Sequence, residues 1–296
     1  MTTASRTAPK PIGMRLLSNS RGLTRRSPTF AAGLIIVGFF AFLSFFASWV
    51  APFNPIQVFP DSVLTAPGGQ FFLGTDGNGM DVFSRVIHGS RFAFSIAIPS
   101  VVLMIAIGVP LGLITGYRGG MLDEILLRIL DVMRSFPAII LALAVVAATG
   151  QTLLNVIIVL GLVEAPIFAR VVRAEVLTLR SSGFVESAVA AGNSTRRVIF
   201  VHIMPNAISG ATAQIALRMA WAVRASATLA FLGIGIQAPA PEWGAMIRQG
   251  AEFMISGQWW IALFPGIALV CIVLGFNLLG DGLHDLLDPK RKPTGK

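Results

Sequence analysis

The chain has 296 residues, 54% of them hydrophobic and only 12% charged, with a formal net charge of +9 at pH 7. A water-soluble domain of that composition would expose large apolar patches, so these proportions exclude a soluble globular protein and define an integral membrane protein. The basic residues stand beside apolar runs rather than in one patch interleaved with aromatics. They therefore fit topology determinants and contacts to anionic lipid headgroups, with no nucleic acid as partner.

Residues 1–29, rich in Ser, Thr, Pro and Arg, read as a disordered tail with an amphipathic stretch near Met14 to Leu23. A first span is expected at 30–50. A cleaved secretory signal is the alternative there, but its apolar core would run only about 7–15 residues, whereas this one continues to Trp49 and Val50. Residues 51–91 form an outer segment that Gly and Pro break into turns. Within it Val82, Phe83, Val86 and Ile87 recur at helical spacing, which predicts a short interfacial helix from Asp81 to His88.

The core, 92–285, holds five further apolar runs, near 92–115, 125–148, 153–172, 207–235 and 260–279, each close to the roughly 20 residues a spanning helix needs. The fold class is all-α, with about six transmembrane helices. The third run opens with charges that can neutralise one another on a helix, Glu124 with Arg128, and Asp131 with Arg128 and Arg134, before Pro137 permits a kink. Of 23 Lys and Arg, 18 lie in the N-terminal tail, the 117–134 connection, the 170–206 region and the tail at 286–296. The positive-inside rule then puts both termini in the cytoplasm.

Between Phe184 and Asn206 the chain reads FVESAVAAGNSTRRVIFVHIMPN, a polar and basic insert between two apolar runs. Glu186 and Ala188 fall on a helix lined with small side chains, Gly192 interrupts it, and Pro205 precedes the next span, where a missing amide is tolerated. Two readings stand: a docking element for a cytoplasmic partner, or a plain amphipathic connector on the membrane surface.

Ionisable side chains inside spans are the second feature. Glu164, Arg218 and Arg224 would each cost at least about 2.5 kcal/mol facing lipid at a helix centre, so they should face the bundle, a partner or a watery path. Counted along their helices, Glu164 and Arg218 reach similar depth and are expected to pair. Arg224 stands nearer the outside, either free to meet a substrate carboxylate or serving structure alone. No Walker A loop is present, since Lys occurs only at positions 10, 290, 292 and 296, so ATP would have to be hydrolysed by another polypeptide. The three His residues are far apart, the single Cys271 has no disulfide partner, and neither suggests a metal site or catalytic cluster.

Glu186, Ala188, Gly192 and Pro205 stand at the spacing of the loop E-A-A-x3-G-x9-I-x-L-P, with Ser187, His202 and Met204 as departures. The chain thereby resembles the permease subunits of bacterial ATP-binding-cassette importers. LGTDGNGMDVFSRVIHGSR, GYRGGMLDEILLRILDVMRSFP, PEWGAMI and FNLLGDGLHDLLDP, with His202, look like the dipeptide, oligopeptide and nickel branch, over about residues 28–290.

The resemblance implies the type I importer transmembrane fold in the bacterial cytoplasmic membrane, with a cytoplasmic coupling helix in the loop at 180–206 and Glu186, Ala188, Gly192, His202 and Pro205 as its ATPase-coupling residues. It implies two cytoplasmic ATPase subunits using ATP and Mg, a second homologous permease, and an extracytoplasmic binding protein that delivers peptides. Under it the segment from Gly116 to Pro137 is either a salt-bridged helix entry or a second contact with those partners. The outer residues Asp76, Asp81, Arg85, Glu242 and Trp243 would cap the pore, as a plug or as a docking surface. Relatives often carry an acid near 226 and a neutral residue at 224. Ser226 and Arg224 here shift the pathway toward anionic ligands. Nickel, glutathione, opine or oligosaccharide import is the alternative within the family. A secondary transporter that needs no ATP is the alternative from another class.

Overall fold

The computed structural model describes residues 27–236 and 238–287, and the tail stretch near Met14 to Leu23 lies outside them. Nine helices account for most of the described residues: α1 Pro28–Val50, α2 Val82–Arg118, α3 Gly120–Arg134, α4 Ala138–Thr149, α5 Leu153–Arg180, α6 Gly183–Ala190, α7 Thr195–Phe231, α8 Trp243–Phe253 and α9 Trp260–Leu287. Among them only isolated bridges, such as Val58 with Met80, represent β pairing. Five helices (α1, α2, α5, α7 and α9) are long and apolar enough to cross a membrane, and α3 with α4 would make a sixth as one broken span.

Three expectations change at this level. The segment from Asp81 to His88 is no separate interfacial helix: Asp81 caps α2, its carboxylate accepting the Ser84 amide at 2.8 Å, and the helix runs on unbroken for 37 residues. The run at 125–148 is no single straight helix, because α3 and α4 meet at 80°. Pro137 disfavours helical geometry at Phe136 and cannot donate an amide, so the chain turns there instead of bending gently. Asp131 pairs with Arg170 of α5, and Asp123 with Arg173 at 2.7 Å, so two acids of α3 bind across to a neighbour; only Glu124 with Arg128, at 3.2 Å, is the expected pair within the helix.

Helices approach one another where side chains vanish. Gly108, Gly112 and Gly116 form a stripe at i, i+4, i+8 on α2, and α5 lies in it: a Cβ at Gly112 would stand 2.6 Å from the Ala169 carbonyl, and one at Gly116 2.7 Å from Val176 Cβ. Between lipid-solvated helices such small-residue stripes drive association by close van der Waals packing. Gly161 of α5 returns the contact against Ser100 and Leu103, and Gly33, Gly275 and Gly282 do the same between α1 and α9. Buried apolar side chains fill the rest, among them Met104, Phe168 and Ile203 in one cluster and Phe40, Trp243 and Ile272 in another.

Candidate functional site: a docking loop, a clasped pair and an outer cap

The loop from Ser181 to Ser194 joins α5 to α7. Its helix α6 buries only Val185 and Ala188, three residues apart on one face, and leaves Phe184, Glu186 and Val189 outward. The helix ends because Gly192 takes φ +76°, which L side chains rarely adopt. Its amide then reaches the Val189 carbonyl at 2.9 Å, the Asn193 amide and side chain reach the Ala188 carbonyl at 3.2 and 2.8 Å, and the helix end is closed as a Schellman motif. Among the described residues no neighbour approaches the space beside Gly192, so backbone conformation alone demands glycine there.

Pro205 stands in the first turn of the α-helical stretch Met204–Phe231, where its missing amide costs nothing, as the sequence reading has it. The span itself reaches further back, to Thr195. A π-helical segment, Val198–Ile203, precedes the proline, and the Met204 amide there reaches back to the Ile199 carbonyl. His202 lies half-buried in that segment, its carbonyl accepting from Asn206 Nδ2 at 2.7 Å.

Deeper in the bundle, Glu164 and Arg218 meet. Nη1 of Arg218 lies 2.7 Å from Glu164 Oε2, and Nη2 donates to Gln214 Oε1 at 3.3 Å. The carboxylate is almost wholly enclosed, in a crevice walled by Ser100, Met104, Leu160 and Trp221 that has no room for a water molecule. Arg224 is exposed on the surface of α7, with no side-chain partner among the described residues, whereas Ser226 is buried on another side of the helix. The structure thus brings Glu164 and Arg218 together and leaves Arg224 apart. The substitution at 226 does not face the same space as Arg224.

The segment 51–81 is locked onto the helix ends. Asp76 Oδ1 accepts the amides of Asn78 and Met80, both at 2.9 Å, which folds the turn. Arg85, 1% exposed, has its Nε 3.4 Å from Asp76 Oδ2, while its Nη1 donates to the carbonyls of Pro55 at 3.0 Å and Pro239 at 3.2 Å, joining three segments. Trp243 Nε1 donates to the Val86 carbonyl at 3.0 Å, with its ring against Gly89, and Trp260 Nε1 to the Thr75 carbonyl at 3.1 Å, with its ring against Gly74. Glu242 caps α8 by accepting the Ala245 amide at 2.8 Å, and burial pushes its carboxyl up to about 7. Asp76, Asp81, Arg85, Glu242 and Trp243 are all buried, so these residues fasten a cap and do not themselves offer a surface. Sequence reasoning missed the glycines that admit the two indoles and the stripe on α2, although the spacing of Gly108, Gly112 and Gly116 was readable.

A helical bundle of five or six apolar spans, with a loop held out between two of them and a buried charge pair between the same two, is the build of a multi-pass membrane protein. The chain belongs to the family described as binding-protein-dependent transport system inner membrane component, whose model matches residues 108–293. Residues 24–67 match the N-terminal TM domain of oligopeptide transport permease C. It is 40% identical over 260 residues to the dipeptide transport system permease protein DppC of Alkalihalophilus pseudofirmus, covering 88% of this chain and 85% of that protein. It is 39% identical over 266 residues to the di/tripeptide transport system permease protein DppC of Pseudomonas aeruginosa, covering 88% of each. It is also 38% identical over 273 residues to the glutathione transport system permease protein GsiD of Pectobacterium atrosepticum, covering 92% of this chain and 90% of that protein. It is accordingly an inner-membrane permease subunit of an ATP-binding-cassette importer.

Proposed function

We propose that this permease forms half of the translocation pathway for short peptides, beside a second, homologous permease. Two cytoplasmic ATPase subunits, which bind the ATP and Mg, drive it through α6, and an extracytoplasmic binding protein delivers substrate to the outer side. Both termini then lie in the cytoplasm, on the side of Arg180, Arg196 and Arg197. Peptides are supported by the names of the relatives, two of them dipeptide and one glutathione permeases.

The observation that carries the reading is the build of the docking loop. A short helix, anchored by Val185 and Ala188 and closed by Gly192, presents Glu186 outward and is joined to the long spanning helices by turns of only two residues before it and four after it. A movement of a partner gripping α6 is therefore delivered to α5 and α7 together, with the π segment, His202 and Pro205 on the return leg. In the assembled complex, Glu186→Lys is expected to leave folding unchanged, because the side chain is exposed, and to reduce ATP-driven uptake roughly 5- to 150-fold, the range of a coupling energy. Unchanged uptake by that variant would overturn the assignment. The ATP-independent carrier has less support, since Glu164, the acid it would need, is engaged by Arg218. Transport by the purified chain alone would revive it.

A further inference from the structure

At the outer ends of α7 and α8 lies a hollow of about 370 Å³, lined by Asn78, Gly233, Arg248, Gln249, Glu252 and Phe253 among others. That volume is within the range of small-ligand sites, roughly 300–1,000 Å³. Two glycines make it: a Cβ at Gly77 would stand 2.6 Å from the Phe253 ring, and one at Gly233, where φ is +82°, would collide with Nη1 of Arg248. Arg248 and Glu252 are both exposed and one helical turn apart, yet neither forms an ion pair or side-chain hydrogen bond among the described residues. Arginine before glutamate is the weaker order for an i, i+4 pair, and the guanidinium is turned to Gly233 instead. The hollow therefore presents one free positive and one free negative group, about 5–6 Å apart at their Cβ atoms, with the amide side chains of Gln249 and Asn78 beside them.

We infer that this hollow is a subsite for the two charged ends of a short zwitterionic peptide, with Arg248 receiving the α-carboxylate and Glu252 the α-ammonium group. The termini of an extended dipeptide are separated by roughly 5–7 Å, given about 3.5 Å per residue, which suits two groups on successive helical turns. Charge-assisted hydrogen bonds at each end are the stronger class of such contacts. Blocked peptides lose one or both. The inference rests on the peptide-import reading and adds to it a place where substrate stops at the outer mouth.

The test uses the assembled complex in nanodiscs, with Gln249→Cys introduced in a Cys271→Ser background and labelled by a thiol reagent. Alanylalanine at ten times its half-protecting concentration is expected to slow labelling about tenfold by occupancy, and N-acetyl-alanylalanine amide to leave it unchanged. Arg248→Gln and Glu252→Gln should each raise the half-protecting concentration roughly ten- to a hundredfold. Labelling unaffected by alanylalanine in a complex that imports it would overturn the subsite and leave the peptide reading intact. Protection that needs the binding protein, ignores peptide and persists in Arg248→Gln would also overturn it, marking a protein-docking surface. A complex that neither imports alanylalanine nor is protected by it would sink both.

Discussion

Glu164 and Arg218 show how a charge is kept inside a membrane bundle. Neither could face lipid cheaply, and each is tolerable because the other is 2.7 Å away with Gln214 taking a further donor. Removing one partner should therefore hurt more than removing both. Glu164→Leu is expected to lower stability by about 3 kcal/mol, toward the lower end for a broken buried pair because Arg218 keeps some exposure. Glu164→Leu with Arg218→Met should recover most of the loss, a non-additivity that thermal unfolding of the purified complex would reveal. Depth counting along two helices made this pair legible, because an ion in hydrocarbon has few choices of partner. Asp131 was misread for the opposite reason: near the membrane surface Arg128, Arg134 and Arg170 all compete for it, and sequence spacing says nothing of a residue on another helix.

At the scale of elements, glycine decides which helices touch. Gly112 of α2 meets the Ala169 carbonyl and Val172, whereas Gly38 of α1 has no atom of the described residues within 4 Å of where a Cβ would stand. Gly112→Leu should disrupt the α2/α5 contact, with overpacking costing about 1–3 kcal/mol or more, and lower the yield of folded complex. Gly38→Ala should be neutral or slightly stabilising by helix propensity, and a melting curve of the two variants side by side checks both. Apolar runs gave the long helices well, since a bilayer leaves a backbone little alternative. The boundaries that failed are those set by local backbone chemistry: a proline that breaks the run at 125–148, and a π segment through which helix α7 reaches back to Thr195. Hydropathy is blind to either device.

For the whole molecule, the cap built around Arg85 and Glu242 links the stability of the bundle to pH. With Glu242 buried and its carboxyl raised to about 7, the folded state holds a proton that the unfolded chain releases near pH 4.5. The resulting stabilisation is complete below that value and is lost as pH rises toward 7. The complex should thus melt at lower temperature at pH 7 than at pH 5, and Glu242→Gln, which keeps an acceptor for the Ala245 amide, should flatten that slope. The cap motifs were visible in the sequence, but their mutual contacts were not, because Arg85 reaches Pro239 across 154 positions. The clasp between Glu164 and Arg218 has a geometric corollary. At about 1.5 Å per residue it lies roughly 24 Å from the end of α5 at Arg180 and roughly 22 Å from Ile203 on α7. A hairpin riveted at matched heights on its two legs resists shear between them, so a displacement at its bend tilts both legs as one stiff bracket instead of sliding one past the other.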